Sequence, residues 1–341
     1  MSLYTRVKDL GVFGLTNAVK LLILSYPSGS ITLVNASQQN DGYGAQIQRI
    51  LSVKALADSL KIEFRFEPLK QVERQLTQDL LQDSAQNLEL AKFNKFLTSL
   101  LVSSSNEKDP NVSSYFSKTL IQIFLTLLRN FLPSALLKRK FEIRLEDAYR
   151  FVQFHSNLYS KLKCNFKAIE QIDSDKVIRI GVHLRFVNFA VNTERYLDPN
   201  YYYRSLDQIT QNLERLGTPY TIRLHSDFKE SLPEPSKTGI SGSTFEYLTQ
   251  IGVTDQNGHV NSDSFRRANE CKDLITSEYG AVLDSGTDDP LSSLKAMANS
   301  DYLILSKSSF AFVAGILNKN GRVISPEYWN RPLTNWNKLQ V

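Results

Sequence analysis

Val177-Ile178-Arg179-Ile180-Gly181-Val182-His183-Leu184-Arg185 decides how the rest of the chain is read. Val177, Ile178, Ile180 and Val182 are β-branched and apolar, the composition of a buried strand. His183 and Arg185 lie two apart, so on extended backbone their side chains leave on the same side. In an open α/β sheet the carboxyl ends of the strands face the ligand crevice. A permanently charged, forked donor at such an end suits a phosphate or pyrophosphate. A surface arginine paired with a carboxylate, beside a histidine satisfied by backbone, fits the same residues. The choice between them depends on the segments around this strand.

Working outward through the second half, strands are expected at Val177–Leu184, Tyr220–His225, Ala281–Asp284, Tyr302–Ser306 and Arg322–Ile324. Helical patterns at Tyr201–Leu216, Phe265–Ser277, Leu291–Asn299 and Phe310–Asn318 fill the gaps. That is the βαβ rhythm of a doubly wound domain. The Pro-, Ser- and Gly-rich stretch Ser231–Ser243 interrupts it as a surface loop. The first half opens with a strand over Ser30–Ala36, a polar turn over Ser37–Gly44, a helix over Ala45–Leu60 and a strand over Ile62–Phe66. Strand, loop, helix and strand in that order imply a parallel sheet. Residues 70–165 read as helical, with breaks near Asp83-Ser84, Ser103–Pro110 and Pro133, and with Ile143–Leu162 as one long amphipathic helix. The expected fold class is therefore α/β, with a large helical insertion in the N-terminal half. Two domains are expected, 1–170 and 171–341, joined near Phe166–Asp175.

Bulk properties narrow the function. A chain of 341 residues holds one large domain or two ordinary ones. Apolar content of 42% with 22% charge is that of a soluble globular protein. A net charge of +5 is a modest excess and does not demand nucleic acid as a partner. The two cysteines, Cys164 and Cys271, form no Cys-x-x-Cys or Cys/His cluster. That argues against a zinc site and a disulfide scaffold and fits a reducing, cytoplasmic compartment. The apolar run Leu21-Leu22-Ile23-Leu24 is preceded by Lys8, Asp9 and Lys20, so Met1–Tyr26 makes a poor signal peptide and a poor membrane span.

Three strand-to-helix junctions carry candidate chemistry. In Asp41-Gly42-Tyr43-Gly44-Ala45-Gln46, two glycines let backbone amides approach a ligand at a helix N-terminus, which favours an anion. This is not the dinucleotide fingerprint, because the third glycine position falls on Ile47. The second junction is the His183–Arg185 strand end. The third is Ser306-Lys307-Ser308-Ser309-Phe310, where a strand ends and an apolar helix begins. Capping explains one serine, not three, and Lys307 would add charge neutralisation. Leu224-His225-Ser226-Asp227 also ends a strand, so Ser226 and Asp227 belong on the same rim. Taken together the junctions suggest a cleft between two domains holding a nucleotide diphosphate.

The ordered set resembles the fucosyltransferase superfamily, which joins the α-1,2-, α-1,6- and protein O-fucosyltransferases. Gly42-Tyr43-Gly44-Ala45-Gln46 looks like its early Gly-x-Gly-x-Gln loop, His183-Leu184-Arg185 like its His-x-Arg strand end, Ser226-Asp227 like its Ser-Asp strand end, and Ser308-Ser309-Phe310 like its Ser-Ser-Phe junction. The resemblance implies a GT-B-like fold, two Rossmann-like domains facing a central cleft, and inverting, metal-independent transfer of fucose from GDP-fucose to a glycan acceptor. It implies that Arg185 binds the donor pyrophosphate and acts in catalysis, while Gly42, Tyr43, Gly44, His183, Ser226, Asp227, Ser308, Ser309 and Phe310 line the donor site. It implies no cofactor beyond the nucleotide-sugar substrate and no metal. The chain departs from the α-1,2 and α-1,6 pattern of His-x-Arg-Arg followed by an acid: Phe186 replaces the second arginine and Asn188 stands where an acid would be. Arg195 and Arg204 are candidates to compensate.

Several readings stay open. Asp41, Asp227 and Glu194 are candidate bases for the acceptor hydroxyl by position alone. No Asp-x-Asp metal motif occurs, and Asp288-Asp289 reads as a helix start before Pro290. Lys118–Lys140 is the most apolar stretch, with Lys118, Arg129, Lys138, Arg139 and Lys140 its only charges. A basic apolar helix suits peripheral contact with an anionic membrane and a glycolipid acceptor, and equally suits a buried helix with a basic end. The alternatives to a fucosyltransferase are a glycosyltransferase using another nucleotide sugar, or a non-catalytic glycan- or nucleotide-binding protein of the same fold.

Overall fold

The computed structural model describes residues 19, 23, 26, 30–35, 42–70, 83–101, 123, 140–145, 162, 166, 177–185, 189, 195–226, 262–284, 289–318, 320, 322–328 and 336. The chain is mixed α/β, and its described residues form two parallel sheets. It divides into two compact units, Met1–Val72 with Leu97–Asn165, and Glu73–Phe96 with Phe166–Val341.

The first unit contains β1 (Ile31–Asn35), α1 (Tyr43–Leu60) and β2 (Glu63–Arg65). Next along the chain is helix α2 (Asp83–Leu101), followed in the first unit by β3 (Phe141–Leu145). The sheet order is β2-β1-β3, all parallel. β3 falls inside the segment expected to be helical, and it takes the start of the expected helix Ile143–Leu162. Its residues alternate Phe141, Ile143, Leu145 against Glu142, Arg144, the period of a strand. Ile143 and Leu145 are buried, while Glu142 bonds Arg65 and Arg144 bonds Glu67 across the opposite face. Pairing with β1 along its whole length overrode the helix-forming preference of Glu, Arg and Leu.

Helix α1 buries Gln46, Gln48, Arg49, Ser52 and Lys54 along with its apolar residues. The Lys54 ammonium keeps a counter-ion one turn on, 2.6 Å from Asp58 Oδ1 and 2.7 Å from Oδ2. Such pairing removes much of the cost of burying the charge. Asn35, at the end of β1, clamps the chain beyond β2: its amide donates to the Glu67 carbonyl at 2.8 Å and accepts from the Glu67 N–H at 2.9 Å.

The second unit holds β4 (Ile178–Leu184), α3 (Pro199–Arg215), β5 (Tyr220–Ser226), α4 (Ser262–Glu278), β6 (Val282–Asp284), α5 (Pro290–Ala298), β7 (Tyr302–Ile304), α6 (Ser309–Leu317) and β8 (Val323–Ile324). Each expected strand and helix of the second half is present within a few residues of its expected bounds. The sheet is parallel throughout, in the order β6-β5-β4-β7-β8. The chain builds outward from β4 through β5 to β6, then returns to the other side of β4 for β7. The boundary between β4 and β7 is thus the topological switch point, where such sheets bind ligands beyond their carboxyl ends.

Ile180, Val182 and Leu184 of β4 pack with Tyr201, Tyr202, Leu206, Ile209 and Leu213 of α3 and with Ala268, Cys271 and Ile275 of α4. Asp198 caps α3, accepting from the Asn200 N–H at 2.8 Å, with Pro199 at the first helical position. Asp289 does the same for α5, accepting from the Ser292 N–H at 3.1 Å ahead of Pro290, as its sequence led us to expect. Gly181 is needed because β4 runs close beneath the end of α5, where a Cβ would sit 2.5 Å from Ser300 Oγ.

Candidate functional site

The candidate site lies at the carboxyl ends of β4 and β7, and the pairing of these strands explains why its residues meet. Val182 stands opposite Ile304 in the register, so the residues just beyond, His183–Arg185 and Ser306–Ser308, leave the sheet side by side. His183 Nδ1 lies 2.7 Å from Ser306 Oγ. Arg185 Nη1 donates to Ser308 Oγ at 3.4 Å. Residues expected from two separate motifs, 123 positions apart, therefore touch twice.

Ser308 is the N-cap of α6 in extended conformation. Its Oγ accepts from the Phe310 N–H at 3.2 Å and its own N–H donates to the Ser306 carbonyl at 2.8 Å. Helix α6 is apolar and buried from Ala311 to Leu317, which holds it in the core. Helix start, hydroxyl and guanidinium together make an anion-binding arrangement. Ser309 begins α6 and is half-buried, and the Phe310 ring lies 6.4 Å from that of His183.

Burial lowers the pKa of His183 to about 3, with the Arg185 charge and His225 adding to the effect. Its imidazole is therefore neutral at ordinary pH, and one of its nitrogens is free to act as an acceptor. His225 is paired with His183 in the β4–β5 register and with Asp284 in the β5–β6 register. Its Nδ1 is 3.3 Å from Asp284 Oδ2, yet neither ring nitrogen completes a hydrogen bond. Ser226, the last residue of β5, is buried opposite Leu184.

Lys307 was expected to neutralise a phosphate. Instead its ammonium donates to the Tyr196 carbonyl at 2.7 Å, tying the segment before α3 to the β7–α6 junction. Arg195 is the neighbour of that anchored residue, whereas Arg204 is exposed on α3. Two further groups gave no signal in the sequence. The Tyr328 hydroxyl donates to the Ser308 carbonyl at 3.1 Å, and the Tyr201 hydroxyl donates to the Ile324 carbonyl at 3.1 Å.

Gly42, Tyr43 and Gly44 belong to the first unit. Gly42 precedes α1 at φ −73°, supplies no side-chain cap and accepts from the Gln46 N–H at 3.1 Å. That φ is open to any residue, so a glycine here is not required by backbone conformation. Tyr43 is buried. Asp41, Phe186, Asn188, Glu194, Asp227, the Ser231–Ser243 loop and nearly all of Lys118–Lys140 lie outside the described residues. Among the described residues no group of three or more His, Cys, Asp or Glu is placed to hold a metal ion, and no helix is long and apolar enough to cross a membrane.

No protein-family model matches the chain. No curated protein matches it in sequence. Solved structures similar to it include POFUT1 in complex with GDP, at 12% identity and a TM-score of 0.37, covering 88% of this chain and 98% of that one. Another is NodZ alpha-1,6-fucosyltransferase co-crystallized with GDP, at 11% identity and a TM-score of 0.31, covering 84% of this chain and 92% of that one. The same enzyme soaked with GDP-fucose gives 12% identity and a TM-score of 0.25 over the same shares. Identity and superposition at this level leave the reading of the site to its own residues.

Proposed function

We propose that the chain is an inverting, metal-independent glycosyltransferase that moves fucose from GDP-fucose to a glycan acceptor. One observation carries this reading: Arg185, Ser308 and the first turn of α6 converge at the β4/β7 switch point. The choice of donor follows from the motifs that resemble the fucosyltransferase superfamily, two of which meet at this point. In this reading the halves are Rossmann-like domains of a GT-B-like enzyme, with 171–341 holding the nucleotide sugar and 1–170 serving the acceptor. The cytoplasm, with contact between 118–140 and an anionic membrane, is the location that goes with a lipid-borne acceptor.

The chemistry assigned to the site is leaving-group stabilisation. The acceptor oxygen bonds to the anomeric carbon, the bond from that carbon to the diphosphate oxygen breaks, and GDP departs with the bonding pair. Charge grows on the phosphate oxygens as the bond lengthens. Fixed donors aimed at such charge contribute about 3–4 kcal/mol each. Arg185 is assigned this role, with Ser308, Ser309 and the amides opening α6 assisting. His183, held neutral, adds a fixed dipole without a competing charge. The hydroxyl proton of the acceptor goes to a base that the reading leaves unassigned.

The test is a thermal-shift screen with nucleoside diphosphates, followed by release assays on a panel of GDP- and UDP-sugars. Binding to the native state raises apparent stability, so GDP should raise Tm, and GDP-fucose should yield free GDP with or without EDTA. Release from a UDP-sugar alone would move the donor assignment. GDP binding without release from any sugar would make the chain a binding protein, and no response to any nucleotide would end the proposal.

A further inference from the structure

We propose that Tyr328 is a positioning residue for the anion site, acting through Ser308; the inference rests on the reading of that junction as the diphosphate site. Tyr328 lies just beyond β8, on Ser325-Pro326-Glu327-Tyr328, where Ser325 and Pro326 are buried and Tyr328 is half-buried. Its hydroxyl meets the Ser308 carbonyl at 3.1 Å. The same carbonyl accepts the first bond of α6, from the Phe312 N–H at 2.9 Å. Both acceptor positions of that oxygen are then used. One is taken by the helix itself, the other by a separate segment of chain.

The consequence reaches the other side of the residue. Ser308 presents its Oγ to Arg185 and to the Phe310 N–H, while its own N–H is spent on Ser306. Rotation of the peptide plane after Ser308 would turn the first amides of α6 and shift the cap hydroxyl from the guanidinium. A helix start stabilises an anion in proportion to how well its donors are aimed in advance. Tyr328 fixes that aim from outside the helix. A phenylalanine there would keep the ring contacts, so the hydroxyl is the group that does the positioning.

Tyr201 offers an internal control. Its hydroxyl donates to the Ile324 carbonyl at the end of β8, the same kind of bond in the same part of the sheet but to a different carbonyl. Burial raises its pKa well above the usual tyrosine range, with Tyr328 a second contributor, so it stays a donor.

The experiment is calorimetric titration with GDP on the wild type, Tyr328→Phe, Tyr201→Phe, Ser308→Ala and the Tyr328→Phe/Ser308→Ala pair, with Tm measured for each. Tyr328→Phe should weaken GDP binding by about three- to tenfold, the loss of one ordinary hydrogen bond. Tyr201→Phe should lower Tm and leave GDP affinity as it was. Ser308→Ala removes the cap hydroxyl but keeps the carbonyl that Tyr328 meets, so in that background Tyr328→Phe should still weaken GDP binding, by a smaller factor than in the wild type. An unchanged affinity in Tyr328→Phe overturns the inference. So does an equal loss in both backgrounds, an equal loss from Tyr201→Phe, or a Tyr328→Phe protein that does not fold. Failure of the wild type to bind GDP overturns the site reading and this inference together; wild-type binding that Tyr328→Phe leaves intact overturns this inference alone.

Discussion

His183 Nδ1 and Ser306 Oγ, 2.7 Å apart at the ends of β4 and β7, form a buried hydrogen bond that closes the switch point of the second sheet. The bond couples the fold to pH. Burial, then the charge of Arg185, then His225 hold the His183 pKa near 3, against an ordinary value of 6.5. An unfolded chain takes up a proton on this ring near 6.5 and the folded protein not until about 3, so protons favour unfolding between those values. The stability owed to His183 is complete above 6.5 and is lost progressively as pH falls toward 3. Urea unfolding from about pH 7.5 down to about pH 5 should show a falling midpoint. In His183→Asn, which keeps a hydrogen-bonding group without the titration, the fall should be smaller. An equal fall in both proteins would place the pH dependence elsewhere.

Arg185→Ala should lower transfer by about a hundredfold or more, the usual effect of removing a preorganised donor from developing charge. Arg185→Lys keeps the charge but loses the fork that serves two oxygens at once. Its rate should fall between the two. Single-turnover rates with saturating donor would report this, and a near-normal rate in Arg185→Ala would remove the residue from the mechanism.

The second sheet was legible because buried parallel strands advertise themselves as short β-branched runs, and the spacing between those runs admits only helices. Once parallel strands are assumed, every strand ends on the same edge, and His183, Arg185, Ser306 and Ser308 had to share a rim. β3 was missed because Glu142, Arg144 and Leu145 favour helices and outweigh the strand preference of Phe141 and Ile143 in a short run. Its partner β1 lies more than a hundred residues earlier, too far for any local pattern to announce. Tyr328 and the Lys307–Tyr196 tie were illegible for the same reason: each joins groups that only the finished fold brings together. The burial of Gln46 and Arg49 on α1 runs against the polarity of those residues.

Lys307 is committed to the Tyr196 carbonyl, so its loss should be felt in stability more than in ligand affinity. Lys307→Met keeps most of the aliphatic stem and removes the ammonium. Unfolding free energy should drop by about 1.5–3 kcal/mol, the range for a hydrogen bond involving a charged group. GDP affinity at moderate salt should change far less than in Arg185→Ala. A large affinity loss with unchanged stability would return Lys307 to the role its sequence position first suggested.

Cys271 is buried, with Tyr203 at hand, and its thiol is pushed up to about 12, mainly by burial. The thiolate is the reactive species. Iodoacetamide should therefore leave Cys271 unmodified in the native protein and label it once urea unfolds the chain. Peptide mapping reads this directly, and labelling under native conditions would mean that α3 and α4 open locally.

Gly181 lies where β4 passes beneath the turn between α5 and β7. A Cβ there would meet Ser300 Oγ at 2.5 Å, Leu303 Cδ1 at 3.1 Å and Ser300 Cβ at 3.2 Å. The Ser300 hydroxyl cannot simply turn away, because it donates to the Ala296 carbonyl at 3.1 Å and caps the end of α5. Gly181→Ala should cost about 1–3 kcal/mol, the range for overpacking a filled core. Adding Ser300→Ala removes the nearest atom and leaves the two milder contacts, so the double variant should recover part of the loss. Because Gly181 is two residues before His183 on the same strand face, displacement of β4 should also reduce GDP affinity in Gly181→Ala, and Ser300→Ala should restore both quantities together. Recovery of stability without recovery of binding would show that the strand's position and the site's geometry are independent.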